Sequence, residues 1–256
     1  MKFIPNSNLK KDMLNEIGLK NIDELFSDIP KDILNKKLNL NQGLSQIETE
    51  QKLRSISNKN KSFNEISCFT GGGMKPHYVP SVVKSITSRA EFFTAYTPYQ
   101  SEASQGFLQA MFEYQSMIAE LTGMDVANCS LYDGVTALSE AALMCYRINK
   151  KDVFIIPENI SYEKKSVLKN YLKGPGIKIE EVSFDRKTGQ IDIADLKEKI
   201  SSDASGVYIE NPNYFGIFEE KIDEIKNIIK ESNAIFVVGV DPVSLGIVKN
   251  PGEYGA

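Results

Sequence analysis

Polar and aromatic side chains that could bind a small substrate are concentrated between residues 96 and 102. The segment reads Tyr-Thr-Pro-Tyr-Gln-Ser-Glu, so two phenols, an amide and a carboxylate fall within seven residues. Such a cluster can line a polar pocket and orient a small ligand. Tyrosines packed on a neighbouring helix, with solvated hydroxyls, explain the same composition equally well. Both interpretations stay open for the members with useful chemistry, which are Tyr96, Thr97, Tyr99, Gln100 and Glu102.

The only histidine, His77, follows a triple glycine at 71–73 and is a second possible source of chemistry. Histidine is the usual general base near neutral pH, but a lone histidine is more often a packed or surface residue. The glycines match neither a P-loop nor a dinucleotide-binding fingerprint, so a turn is the favoured interpretation. With one histidine in the whole chain, a histidine-rich metal site is excluded.

Two further sites depend on elements that the sequence predicts. Asp133, Gly134 and Thr136 precede a helix, where small and hydroxyl residues can bind an anion through free backbone N–H groups. Capping by Asp133 is the favoured interpretation, because its carboxylate would repel a phosphate. Asp241 ends an apolar run and could pair with the pyridine nitrogen of a pyridoxal cofactor. A turn-forming Asp-Pro pair is at least as good an explanation.

Composition narrows the classes of protein that have to be considered. The 256 residues carry 30 Lys and Arg against 34 Asp and Glu, and this slight acidic excess argues against nucleic-acid binding. The longest apolar stretch, residues 234–240, is too short to span a bilayer, and no secretory signal opens the chain. The three cysteines form no CxxC motif or paired framework, which favours a reduced, cytoplasmic location.

The elements that must position these residues divide the chain into two predicted parts. Residues 1–62 contain short helical patterns and are predicted to form an N-terminal helical arm. Residues 63–256 begin with an aromatic loop region and continue with a helix that ends at Gly123, with Leu108, Met111, Phe112, Ile118 and Leu121 on one face. The next helix is predicted over residues 137–146.

Beyond residue 150, four short apolar runs alternate with amphipathic helices. The runs at 153–156, 177–182, 206–209 and 235–240 predict strands, and the intervening segments at 162–172, 193–200 and 222–229 predict helices. Such alternation is typical of a parallel sheet covered on both faces. The last residues, 246–256, contain glycine and proline without a closing helix, so the architecture is predicted to be incomplete.

Taken together, these segments resemble the P-protein of the glycine cleavage system in its split, two-subunit form, specifically the first (alpha) subunit. The resemblance extends over essentially the whole chain, and the tyrosine-rich block is its most specific part. The matching stretches are 71–80 (GGGMKPHYVP), 89–100 (RAEFFTAYTPYQ), 104–106 (SQG), 112–115 (FEYQ), 121–128 (LTGMDVAN), 132–134 (YDG), 240–246 (VDPVSLG) and 251–256 (PGEYGA).

The resemblance implies a fold and an activity. The fold would be the α/β large domain of the pyridoxal-phosphate-dependent transferases (aspartate-aminotransferase-like, fold type I), with an N-terminal helical arm and an incomplete C-terminus. The family decarboxylates glycine and transfers the aminomethyl group to the lipoylated H-protein. In the split form, pyridoxal phosphate is held mainly by glycine dehydrogenase subunit 2, which carries the Schiff-base lysine, and subunit 1 completes the pocket across the interface.

The resemblance also assigns roles to individual residues. Tyr96, Thr97, Tyr99, Gln100 and Glu102 would line the substrate and cofactor pocket at the interface, together with His77, while Asp133, Gly134, Thr136 and Asp241 would belong to a degenerate cofactor site. The only lysine after Asp241 is Lys249, in a Gly- and Pro-rich tail that offers no buried context to make it a nucleophile.

Three interpretations of the whole chain therefore compete. The leading one is an enzyme subunit that is inactive without its lysine-bearing partner. The second is a non-catalytic scaffold that stabilises a pyridoxal-enzyme partner. The third, an independent pyridoxal aminotransferase relative, would need a Schiff-base lysine, for which the sequence offers no convincing residue. Family alpha subunits continue beyond the stretch that matches residues 251–256, so the chain is expected to be shortened at its C-terminus.

Overall fold

The computed structural model of the protein describes residues 6–34, 39–68, 77–95, 100 and 102–256. The chain divides into two units, Met1–Ser67 and Cys68–Ala256. The predicted boundary between an arm of residues 1–62 and a domain of residues 63–256 stays a prediction.

The first unit consists of short helices, as its sequence predicts. They are a 3-10 helix at Ser7–Leu9, α1 (Lys10–Glu16), a 3-10 helix at Ile22–Phe26 and α2 (Gln46–Ser57). A capping box starts α2: the Ser45 hydroxyl accepts the Glu48 N–H, and the Glu48 carboxylate accepts the Ser45 N–H at 2.8 Å. Leu14 is the one buried side chain among the described residues of this unit. Local caps therefore contribute more to these helices than a shared core does.

The second unit begins with helices and continues as alternating strands and helices. The first helices are α3 (Ser81–Thr87), α4 (Ala90–Phe93), α5 (Gln105–Thr122) and α6 (Gly134–Asn149). They are followed by β1 (Val153–Pro157), α7 (Tyr162–Lys173), β2 (Lys178–Val182), α8 (Ile193–Lys199), β3 (Ala204–Asn211), α9 (Ile222–Ser232), β4 (Ile235–Val240) and a 3-10 helix at Pro242–Gly246.

The four strands form one parallel sheet in the order β2-β1-β3-β4. β3 is central and buried along its whole length, whereas β2 and β4 are the edge strands of the described sheet. The predicted parallel α/β arrangement is confirmed. Because the strands are parallel, all four carboxyl ends lie at the same edge of the sheet, where α/β proteins bind their ligands.

Successive side chains of a strand point to opposite faces of the sheet, so the buried residues form two separate cores, one on each face. Ile155 of β1 and Val207 of β3 point toward one face, where helices α8 and α9 pack. Phe154 of β1 and Tyr208 of β3 point toward the other face, where α6 and α7 pack. The side chains of Phe154, Ile155 and Val207 are fully buried.

The prediction that five apolar residues share one face of α5 is wrong in part. Met111 and Ile118 are half-buried, but Leu108, Phe112 and Leu121 are exposed. These five positions spread around about half of the helix circumference at 3.6 residues per turn, so one neighbouring surface cannot cover them all. The predicted helix end is confirmed, since Gly123 follows Thr122 in the left-handed conformation at φ 69°.

The last residues pack against the second unit without forming a further helix. The Gly252 N–H donates to the Thr122 carbonyl at 2.9 Å, which joins the segment to the end of α5. Tyr254 is 4% exposed and its ring lies 6.2 Å from that of Phe236, measured between centroids. This segment is therefore anchored at two points. Of the helices that the structure describes, none has both the length and the apolar character needed to cross a membrane.

Candidate functional site at the carboxyl edge of the sheet

The amino terminus of α6 lies at the carboxyl edge of the sheet. At the other end of this helix, the Asn149 side-chain amide donates to the Ser205 carbonyl at 2.8 Å, close to the start of β3. The carboxyl end of α6 is therefore at the amino edge of the sheet. The Asp133 group at its start faces the opposite edge, where Asp241 follows β4.

Asp133 caps α6 with its own carboxylate. Its Oδ1 accepts the Thr136 N–H at 2.7 Å and the Thr136 hydroxyl at 2.8 Å, while the Asp133 N–H donates to the Thr136 hydroxyl at 3.1 Å. The hydrogen bond from the Thr136 backbone N–H, followed by that from its hydroxyl, lowers the pKa of Asp133. The structure thus brings Asp133, Gly134 and Thr136 together as a helix cap.

This cap tests whether the helix could hold the phosphate of pyridoxal phosphate. A phosphate at a helix amino terminus needs free backbone N–H groups and an uncompensated positive dipole end. At α6 the Thr136 N–H already bonds the Asp133 carboxylate, whose negative charge would repel the phosphate. The group does not fit this helix terminus.

Asp241 is the second half of the predicted degenerate site. It is half-buried at the end of β4, and its Oδ1 accepts the Val243 N–H at 3.1 Å at the start of a 3-10 helix. This local bond is the one expected for a turn-forming Asp-Pro pair. The predicted alternative, pairing with a pyridine nitrogen, stays untested.

An ion pair missed by the sequence-based reasoning connects α7 to β3 at the same edge. Glu210 Oε1 accepts hydrogen bonds from Lys164 Nζ and, at 2.9 Å, from the Tyr208 hydroxyl. The Glu210 side chain is 8% exposed and that of Lys164 is 27% exposed. Burial raises the pKa of the Tyr208 phenol well above its ordinary value, and the Glu210 carboxylate raises it further. Tyr208 therefore remains a neutral hydrogen-bond donor.

A buried polar network fixes the loops beside this ion pair. Asn159 and Asn213, which follow β1 and β3, both donate side-chain N–H groups to the Gly189 carbonyl, at 2.9 and 2.8 Å. The Glu219 carboxylate accepts the Ile191 N–H, with both oxygens at 3.2 Å. Three connections at the carboxyl edge are thus held together by side chains, which makes this part of the edge a rigid platform.

Glu219 is the group in this network whose ionisation costs stability. Burial raises its pKa, and hydrogen bonds from Ile191 and Asn213 oppose that shift. For a raised pKa, the contribution to stability is complete below the unfolded-state pKa and is lost as the pH rises through the folded-state pKa. We expect Glu219→Gln to raise the free energy of unfolding at pH 7 by on the order of 1 kcal/mol, and the gain to shrink as the pH falls.

Urea unfolding of both proteins between pH 4 and pH 8 measures this difference. The matched control is Glu220→Gln at the exposed neighbouring position, which should have little effect at any pH. A Glu219→Gln effect that does not vary with pH would contradict the assignment to ionisation of the buried carboxyl.

The structure describes only some of the predicted pocket residues. Tyr96, Thr97 and Tyr99 lie outside the described residues, as does the triple glycine at 71–73. His77, Gln100 and Glu102 are exposed, and the Gln100 carbonyl accepts the N–H groups of Ala103 and Ser104 at 3.0 and 3.1 Å. In the described part of the chain, no hydrogen bond joins these three residues to the Asp133 group.

Lys249 is exposed in the segment that follows the 3-10 helix at Pro242–Gly246. A lysine that forms a Schiff base is normally held in a pocket that lowers its pKa, and an exposed position does not provide one. Lys164 lies at the same edge, but its ammonium group is already bound by the Glu210 carboxylate.

Comparison with known proteins shows which family the chain matches. All 256 residues match the family described as glycine cleavage system P-protein. A relative from Pyrococcus abyssi, "Probable glycine dehydrogenase (decarboxylating) subunit 1", is 53% identical over 256 residues, covering 99% of this chain and 57% of the relative. The chain thus spans little more than half the length of the curated relatives that it matches.

Solved structures agree with that match. The crystal structure of a glycine decarboxylase (P-protein) of the glycine cleavage system, in inhibitor-bound form, is 36% identical with a TM-score of 0.84, covering 100% of this chain and 57% of that one. The sphingosine-1-phosphate lyase of Burkholderia pseudomallei K96243, 12% identical with a TM-score of 0.55 over 83% of this chain and 50% of that one, shares the fold alone.

The predicted α/β fold class is confirmed for the part of the fold that the chain covers, because the whole chain matches the glycine decarboxylase crystal structure. With the whole sequence matched and the fold shared, the chain belongs to the glycine cleavage system P-protein family.

Proposed function

We propose that this chain is a subunit of glycine dehydrogenase (aminomethyl-transferring), which decarboxylates glycine and transfers the aminomethyl group to the lipoylated H-protein. The observation that carries the proposal is the family match over all 256 residues, together with relatives named as subunit 1 of the decarboxylating glycine dehydrogenase. We further propose that the chain is active only with subunit 2, and that the complex works in the cytoplasm.

Pyridoxal phosphate is held mainly by the partner subunit, which supplies the Schiff-base lysine. Two features of this chain support that division: the Asp133 carboxylate already fills the α6 terminus, and Lys249 is exposed. When bound, the cofactor supplies an electron sink for decarboxylation. Here Asp133, Gly134, Thr136 and Asp241 cap helices and turns.

In this proposal, the chain contributes to catalysis by lining one side of the substrate pocket at its interface with subunit 2. Tyr96, Thr97, Tyr99, Gln100 and Glu102 bind and orient glycine, and His77 lies at the margin of the same pocket. The proposal for these residues follows from the family motif that they match, and phenol, amide and carboxylate groups suit a small zwitterion. A pocket closed by two subunits also excludes water from the site of decarboxylation.

The tyrosines give a direct test. In the complex of this chain with subunit 2, we expect Tyr96→Phe or Tyr99→Phe to lower glycine decarboxylation by about tenfold or more, because losing one orienting hydrogen bond to a charged substrate has an effect of that size. The measurement is release of labelled CO₂ from carboxyl-labelled glycine in the presence of lipoylated H-protein.

Tyr171→Phe, at a half-buried position near the end of α7, is the matched control and should retain full turnover. Full turnover in both Tyr96→Phe and Tyr99→Phe would support the alternative role, a non-catalytic scaffold that stabilises its partner. Borohydride trapping after addition of pyridoxal phosphate checks the location of the lysine. A stoichiometric adduct on Lys249 or another lysine of this chain would contradict the proposed division.

A further inference from the structure

Strand β4 lies at an edge of the described sheet but has the composition of an interior strand. Its sequence, Ile-Phe-Val-Val-Gly-Val, contains no charged or polar side chain, and its residues are half-buried except for Phe236, which is buried. The free edge of a strand presents N–H and C=O groups to any other strand that can reach them, so proteins usually protect such edges with charged residues or proline. The sequence of β4 provides neither.

The opposite edge of the sheet, strand β2, is protected by charge. Its sequence is Lys-Ile-Glu-Glu-Val, and the side chains of Lys178 and Glu180 are exposed. The Glu181 carboxylate lies 2.5 Å from the Lys165 ammonium group and 3.7 Å from that of Lys169, so two lysines of α7 also lie along this edge. A strand that paired with β2 would have to desolvate these charges. Of the two edges, β4 is therefore the one suited to a further strand.

The backbone direction of β4 shows which of its residues are available for pairing. A Cβ atom built on Gly206 of β3 would lie 3.2 Å from the Ile235 carbonyl oxygen, so this carbonyl points toward β3. Because successive residues of a strand alternate in direction, the N–H and C=O groups of Phe236, Val238 and Val240 point away from β3. Among the described residues, no strand and no backbone hydrogen bond reaches that side of β4.

The charges at the two ends of β4 favour a second copy of the same strand in antiparallel orientation. Asp241 follows the carboxyl end, and the Lys151 ammonium group is held at the amino end, where it donates to the carbonyls of Ser232 and Asn233 at 3.2 and 3.4 Å. Antiparallel pairing places the aspartate of each copy near the lysine of the other, whereas parallel pairing would place like charges together. The uncharged strand between these ends meets its own copy without repulsion.

We propose that β4 pairs with β4 of a second copy of this chain, antiparallel about a two-fold axis at Val238, and joins the two sheets into one. In this register Val238 faces Val238 of the second copy and Phe236 faces Val240, so each outward N–H and C=O group gains a partner. Val243 and Ile247, which are 73% and 83% exposed, follow the strand and supply apolar surface at both ends of the pairing. A two-fold pairing is closed, so the assembly stops at a dimer. The inference does not depend on the proposed glycine decarboxylation.

The test begins with the oligomeric state of the full 256-residue chain, measured by sedimentation velocity over a wide range of concentrations. We expect a dimer that dissociates on dilution. Hydrogen exchange of the backbone amides, followed by nuclear magnetic resonance of the nitrogen-15-labelled chain, locates the contact. The amides of Phe236, Val238 and Val240 should exchange more slowly as the dimer forms. Those of Val237 and Gly239, which point toward β3, should be protected in monomer and dimer alike.

Two substitutions on the edge make the test specific. Val238→Pro removes an outward N–H but no bond to β3, and it should weaken dimerisation at least about tenfold, because each copy loses a hydrogen bond at the axis. Val240→Lys places a charge on the edge, as Lys178 does on β2, and should weaken the dimer similarly. Glu180→Lys, a matched change on β2, should leave the dimer unchanged. Circular dichroism checks that each variant is folded, and Val240→Lys decides the test if Val238→Pro is not.

Each outcome supports or overturns the pairing. A monomer at every concentration would overturn it, and so would a dimer whose affinity is unchanged in Val240→Lys, because the contact would then lie on another surface. Protection of the three outward amides in a monomer would show that a different segment of the same chain covers the edge. Species larger than a dimer would contradict the closed two-fold arrangement. Concentration-dependent protection of the outward amides that is lost in Val240→Lys would support the proposal.

Discussion

Replacing Lys164 with methionine should lower the free energy of unfolding by about 3 kcal/mol, because a nearly buried carboxylate would lose its cation. Glu210 is 8% exposed and accepts hydrogen bonds from Lys164 and Tyr208. Methionine keeps the apolar stem of the lysine that crosses from α7 to β3, so the change tests the charge rather than the packing. Without the ammonium group, the Tyr208 hydroxyl is the one donor left to Glu210 Oε1 among the described residues. A single neutral hydrogen bond does not balance a buried charge.

Urea unfolding followed by circular dichroism measures this effect. Lys197→Met is the matched control, because Lys197 pairs with Glu224 at 2.9 Å with side chains that are 54% and 44% exposed. An exposed pair of that kind contributes less than about 1 kcal/mol. The double variant Lys164→Met with Glu210→Gln should recover part of the loss, since no charge is then left buried. Equal destabilisation by Lys164→Met and Lys197→Met would show that the ion pair is as weak as a surface pair.

Gly252→Ala should have an effect of similar size, about 3 kcal/mol, through a backbone clash. A Cβ atom at position 252 would lie 2.0 Å from the Gly123 carbonyl oxygen and 2.5 Å from its carbonyl carbon. Because both are backbone atoms at the end of α5, they cannot move without disturbing the helix terminus. The segment 250–256 must therefore shift, breaking the bond from the Gly252 N–H to Thr122 and loosening Tyr254 from Phe236.

Two measurements distinguish this clash from a general loss of glycine flexibility. Gly246→Ala is the control, since a Cβ atom there meets nothing within 4 Å among the described atoms and should change stability by less than about 1 kcal/mol. Limited proteolysis after Lys249 should become faster in Gly252→Ala alone. Unchanged stability and unchanged cleavage in that variant would mean that the segment does not depend on its close approach to Gly123.

Local patterns along the chain were enough to predict the parallel α/β sheet. The run at 235–240 and the run at 206–209 became β4 and the middle of β3, because buried parallel strands require consecutive apolar residues. Asp133 was predicted as a helix cap and Gly123 as a helix end, since both depend on the conformation of a few neighbouring residues. The sequence also indicates the family, because the matching motifs at 89–100 and 240–246 are continuous stretches of the chain.

Tertiary structure alone decided which distant side chains meet. Lys164 and Glu210 are 46 residues apart, and neither position shows a local pattern that predicts an ion pair. Gly123 and Gly252 are further apart still, and their close approach becomes visible only when the end of α5 and the last segment are packed together. Sequence determines the elements through short-range backbone preferences, whereas burial, charge pairing and unmet hydrogen bonds depend on how those elements pack.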